Sequence, residues 1–202
     1  MADSAWLALI ADHKQKQAMQ IGQAAAELAL KDGLSSVSMS ALARAAGVSR
    51  ATLYNYVPDV ATAIRLYLRA QGEAFMAYVT SVIAGEKGAE AKLRRYIREQ
   101  VAYVASPEHR AAAALMDAGL GRLSDTPSTH ERQAPSLLQE ILSEGIETGV
   151  FSNHVGAEAL ALIVDRMLYS AHALVTTKNI SEPSARGALT SLVLDGIRRQ
   201  DS

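Results

Sequence analysis

The chain has 202 residues, 49% of them hydrophobic, five prolines and a formal charge of −1. It has no cysteine, which excludes disulfides, thiolate catalysis and cysteine-bound zinc. An apolar patch at residues 5–11 is too short to span a bilayer and lacks the leading basic region of a secretion signal, so the chain reads as cytoplasmic with no membrane partner.

Alanine and leucine dominate, prolines are few, and no stretch alternates as a strand would, so the reading is all-α. A first helix is expected over 12–31, with Ile21, Ala24, Ala25, Leu28 and Ala29 on one face and Asp32-Gly33 as its stop. Residues 38–56 read as two short helices around a tight turn. Leu42, Ala43 and Ala46 share a face, while Val48 and Leu53 close the corner. Gly47 stands where the first of these helices must stop, and Ser38 and Ser49 are the candidate N-caps. A fourth helix is expected from Asp59 towards Ala84, broken by Gly85 to Gly88. Further helices follow over 89–105 and from Ser106-Pro107-Glu108 towards Gly119 or Gly121. A polar loop is expected at 124–129. The next helix ends at Gly149, its start left open by Pro135. Asn153 caps a long helix through Leu174, and Ser181 starts a last one through Ile197. No internal repeat is visible.

Two helices joined at a glycine corner make a helix-turn-helix, and the second begins with Arg50, Ala51 and Thr52 and goes on to Tyr54, Asn55 and Tyr56. Arg50 can fork onto guanine O6 and N7, or it can hold a phosphate. Ala51 can touch a thymine methyl, and Thr52 can bond a phosphate or serve the cap. Asn55 can read adenine, or it is simply exposed. Ser38 and Ser40 open the preceding helix, whose free N–H groups favour a phosphate oxygen. Charge permits this: residues 1–70 carry seven basic and five acidic side chains, against 13 and 16 in the remainder.

The run from Ile21 to Ala26, then Glu27-Leu28, Lys31-Asp32-Gly33, Val37-Ser38-Met39, Leu42 to Ser49 and Thr52-Leu53-Tyr54 resembles the DNA-binding domain of TetR-family transcriptional regulators over roughly 12–70. Two positions depart from that pattern: Val57 stands where Phe is usual, and Val60 where the family has a phosphate-contacting Lys. The resemblance implies that Tyr54 and Tyr56 meet DNA through their hydroxyls; the alternative is a ring packed under the first helix. It implies double-stranded operator DNA as partner. It also implies homodimerisation through the last two helices, near 156–178 and 183–199, and an effector cavity in the body lined by Tyr96, Tyr103, Met116, Met167, Tyr169 and His172. At each of these six positions ordinary core packing is the alternative.

None of the five histidines has metal-site spacing, and there is no nucleophile–base motif or phosphate loop, so no catalytic, metal or cofactor site is expected. The sequence therefore reads as a helix-turn-helix head over 12–70 and an effector-binding and dimerisation domain over 71–202. Together they make a regulator, a repressor released by an unknown small apolar or aromatic effector. The competing reading is a small-molecule binding protein with a weakened head.

Overall fold

Side-chain caps at Ser38, Ser49, Asp59, Ser106 and Ser181 start five of the described α-helices in the computed structural model. It describes residues 2–118, 129–176 and 180–198, and within them the side chains of 13–116, 118, 136–170, 174, 175 and 180–198. The helices are α1 (Ala2–Asp32), α2 (Met39–Ala45), α3 (Arg50–Tyr54), α4 (Val60–Ala84), α5 (Ala89–Ala105), α6 (Pro107–Asp117), α7 (Thr129–Glu147), α8 (Ala157–Thr176) and α9 (Glu182–Ile197), with a 3-10 turn at Leu34–Ser36. Among the described residues no strand forms beyond one isolated bridge between Phe151 and Arg198.

Two boundaries differ from expectation, and one that the sequence left open is fixed. Helix α1 begins at Ala2, not Asp12, because residues 2–11 contain no glycine or proline to stop a run of good helix formers. Helix α7 begins at Thr129, which makes Pro135 its seventh residue, with no backbone N–H to give to the carbonyl of Glu131. Helix α8 begins at Ala157: Asn153 Oδ1 accepts from the backbone N–H of Gly156 at 3.1 Å, so this side chain closes the turn before the helix. The loop expected at 124–129 lies outside the described residues except for Thr129, as does the break at Lys178-Asn179.

The chain divides into two compact units. One holds the residues up to Gly72 together with α6 from Ala111; the other holds Glu73–Arg110 and the described residues after α6. In the first unit α1 packs on α2 and the 3-10 turn, and α2 packs on α3. Its core joins Ile21, Ala25, Leu42, Leu53, Val57, Val60 and Ile64, and Leu115 of α6 belongs to the same cluster. Gly22 lets α1 lie directly on α4, since a Cβ there would stand 2.6 Å from Tyr67 Cβ and 2.8 Å from the Ala63 carbonyl oxygen.

In the second unit α5 is central, packed against α7, α8 and α9, with α8 against α7 and α9. Leu93, Tyr96, Ile97 and Val101 of α5 meet Leu138 and Leu142 of α7, Val164 and Leu168 of α8, and Leu189 and Val193 of α9 in one core. Polar ties hold the rim. Ser152 donates its backbone N–H to the Ile197 carbonyl at 2.8 Å. Arg198 pairs with Glu90 at 2.6 Å, and Lys92 with Glu144 at 2.5 Å. The two cations beside Glu90, Arg198 and Arg94, hold its carboxyl below the ordinary value of 4.5 against a smaller burial effect.

Candidate nucleic-acid interface

The head is fixed from its caps inward. Ser38 Oγ accepts from the Ala41 N–H at 3.1 Å and starts α2; Ser49 Oγ accepts from the Thr52 N–H at 3.0 Å and starts α3. Between them Gly47 has φ +67°, the left-handed conformation that ends α2 without steric cost. Leu53 is the inward residue of α3 and has no exposed surface, and Val57 just beyond it is also buried. A five-residue helix has little stability of its own, so this buried anchor and the Ser49 cap hold the rod in place.

With Leu53 inside, the opposite side of α3 faces solvent. Arg50, Ala51, Tyr54 and Asn55 are exposed, as are Ser38, Ser40 and Ser49. Arg50 and Tyr54 are one helical turn apart and act on each other. The Arg50 guanidinium lies 5.8 Å from the Tyr54 ring centroid, and its Nη2 donates to the Tyr54 hydroxyl at 3.4 Å. Thr52 is half-buried, its hydroxyl bonded to Ser49 Oγ at 2.7 Å, which favours the capping role over a phosphate contact. Tyr56 turns back to α1, where its hydroxyl donates to Gln17 Oε1 at 3.3 Å and its ring packs on the head core. Of the nine expected DNA-facing residues, seven share the open surface, while Thr52 and Tyr56 are engaged internally. Val60, where the resemblance expects lysine, is 9% exposed and closes the core at the start of α4.

Of the six positions expected around an effector, the five whose side chains are described have different settings. Tyr96 is fully buried in α5, and Tyr103 on the same helix stacks on Phe75 at 3.9 Å with His109 edge-on at 5.0 Å. Met167 packs against the body core. Tyr169 is 72% exposed on the outer side of α8, and Met116, 47% exposed on α6, belongs to the other unit. The side chain of His172 lies outside the described residues. One residue absent from that set is Gln100, a buried polar side chain one turn from Tyr96. Burial raises the Tyr96 hydroxyl above its ordinary pKa, the negative charge of Asp165 raises it further, and a side-chain hydrogen bond with Gln100 acts the other way. A glutamine between Tyr96 and Val104 on an apolar helix face was the available sequence signal. Among the described residues no group of His, Asp or Glu could hold a metal ion, and no helix is long and apolar enough to cross a membrane.

A capped, solvent-facing second helix on a three-helix frame, followed by a helical body, defines a helix-turn-helix DNA-binding protein. Residues 21–58 match the model of bacterial regulatory proteins of the tetR family. The match covers the helix-turn-helix segment of the head. No curated protein sequence matches the chain. Several solved structures share its fold. FadR from Bacillus subtilis in complex with stearoyl-CoA is similar at TM-score 0.69 and 19% identity, over 89% of this chain and 99% of that one. A transcriptional regulator from Saccharomonospora viridis in complex with choline gives 0.71 and 16%, over 92% and 99%. AibR, solved with isovaleryl coenzyme A and operator DNA, gives 0.64 and 14%, over 87% and 97%. At these identities the likeness concerns the fold.

Proposed function

We propose that the protein is a cytoplasmic, sequence-specific transcriptional repressor that binds operator DNA as a homodimer and leaves it when a small effector occupies the body. It binds and does not catalyse. The observation that carries this reading is the sidedness of α3: Leu53 has no exposed surface while Arg50 and Tyr54 stand in solvent, with Tyr54 48% exposed. A helix whose polar end is held outward by a buried leucine is placed to enter a major groove, with Arg50 and Asn55 at base edges and Ser38, Ser40, Ser49 and Tyr54 towards the backbone.

Dimerisation is supported by the outer faces of the last two helices. Leu162, Ile163 and Tyr169 of α8 and Leu192 of α9 are each half or more exposed, an apolar surface that a lone chain would leave in water. A twofold pair would present two α3 rods to half-sites about 34–36 Å apart or a multiple of that. The structural relatives solved with stearoyl-CoA, choline and isovaleryl coenzyme A support a body that takes small molecules. Here the apolar core around Tyr96 and Met167 favours a mainly apolar or aromatic effector. Release requires the effector to prefer the conformer that does not hold DNA, because equal affinity for both shifts nothing.

The test is a nuclease-protection and gel-shift assay on DNA upstream of the protein's own reading frame. Selective protection of a near-palindromic site supports the repressor. Equal, salt-sensitive binding to any sequence would instead favour the weakened head, for which the buried Val60 in place of a phosphate-binding lysine is the motivation.

A further inference from the structure

Arg50 is the first residue of α3, so no turn of that helix precedes it for its side chain to lie against. Its neighbour on the helix surface is Tyr54, one turn on. An exposed arginine at a helix end samples many rotamers in solution, and ordering them on binding costs affinity. Here the side chain already has a direction. Its Nη2 donates to the Tyr54 hydroxyl at 3.4 Å, and its guanidinium carbon stands 5.8 Å from the ring centroid. A cation–π contact extends to about 6 Å, so the ring adds little at this range and the hydroxyl sets the aim. Tyr54 is itself seated. It is 48% exposed, and Leu53 beside it, with no exposed surface, fixes the rotation of α3.

The chemistry of the pair suits a DNA-facing arginine. A carboxylate at the same place would offset the positive charge and compete with nucleic acid for the guanidinium. A phenol is neutral, so Arg50 keeps its charge while its direction is held. The bond uses a lone pair of the Tyr54 oxygen and leaves the O–H proton free to donate to a phosphate oxygen. The other N–H donors of the guanidinium remain for the O6 and N7 edge of a guanine. One hydroxyl can therefore tie a backbone contact to a base contact, and the seat of Tyr54 on the phosphate decides where Arg50 forks. Phenylalanine would keep the ring and lose this link.

Resting on the DNA-binding reading above, we infer that Tyr54 is a specificity-determining positioning residue, whose hydroxyl aims Arg50 at a guanine in each half-site. Tyr54 acts on base choice through Arg50 and touches no base itself.

The test uses the full-length protein and a randomised duplex pool, from which wild type, Arg50→Ala, Tyr54→Phe and the double variant each select. Affinities for the duplex that wild type enriches, and for a scrambled duplex of the same composition, are then read by fluorescence anisotropy at one salt concentration. Wild type should enrich a guanine in each half-site, and Arg50→Ala should lose that preference. Tyr54→Phe should weaken the same preference. Its loss of affinity per half-site should be about two- to tenfold greater on the enriched duplex than on the scrambled one, the cost of ordering one long side chain during binding. In the Arg50→Ala background the same change should cost equally on both duplexes, because no guanidinium is left to aim. The assignment is overturned if Tyr54→Phe loses equally on both duplexes with Arg50 present, which would leave the hydroxyl a phosphate contact alone. It is also overturned if Tyr54→Phe selects as wild type does, or if Arg50→Ala keeps the guanine. Enrichment by wild type together with any of these results sinks only the role of Tyr54. No enrichment by wild type sinks the repressor reading and this role with it.

Discussion

Replacing Tyr169 by alanine tests how the chain pairs with its copy. The side chain is 72% exposed on α8, beside the half-exposed Leu162 and Ile163. A buried tyrosine removes about 150–250 Å² from water, so about 110–180 Å² of this residue is available to a partner. At about 25 cal/mol per Å² that is about 3–4.5 kcal/mol per protomer, and alanine keeps part of it, leaving a loss of about 2–3 kcal/mol. A twofold interface counts the residue twice, so the dimer should weaken by about 4–6 kcal/mol, or three to four decades in Kd. Sedimentation velocity across a dilution series reads this directly. Wild type should remain dimeric where Tyr169→Ala is monomeric. Because the residue touches solvent and not the core, the helix content of the variant by circular dichroism should match wild type. A variant with an unchanged dimerisation constant, or a wild type monomeric at micromolar concentration, would refute the placement of the interface on this face.

Three further substitutions probe the frame. Gly22→Ala should destabilise the head by about 1–3 kcal/mol through overpacking, outweighing the roughly 1 kcal/mol that alanine gains in a helix, because its Cβ meets the Ala63 carbonyl and Tyr67 within 3 Å; a raised melting temperature would contradict the close approach of α1 and α4. Ser49→Ala removes the cap on α3 and should cost about 0.5–2 kcal/mol, read as a lower urea midpoint with unchanged slope. Glu90, held below its ordinary pKa of 4.5 by Arg198 and Arg94, binds protons more weakly in the folded chain than in the unfolded one. Its contribution is therefore present above pH 4.5 and lost as pH falls through the lower folded value, so Glu90→Gln should lose less stability than wild type on acidification below 4.5. Parallel acid-unfolding curves for the two proteins would contradict that pairing.

What the sequence made legible was local. Ser38, Gly47 and Ser49 announce the two short helices because caps and left-handed turns depend on a few consecutive residues, and each is found in its expected role. The family resemblance over the head rests on the same residues. Long-range choices were not legible. Thr52 and Tyr56 look like DNA contacts in sequence, yet Ser49 and Gln17 engage their hydroxyls. Leu115 lies far along the chain, and only tertiary packing shows it in the head core. Tyr169 is a pocket residue by the family resemblance, and only the rotation of α8 within the body shows it facing out. Gln100 carries no motif at all, and only packing shows it buried in the body core.

The central claim is that the open side of α3 reads sequence, and the most direct measurement is the affinity of Arg50→Ala for the preferred site and for unrelated DNA at one salt concentration. A loss of about 1–3 kcal/mol confined to the preferred site is the expected result. An equal loss on both DNAs would reassign Arg50 to a phosphate, and no loss on either would contradict the account of the head.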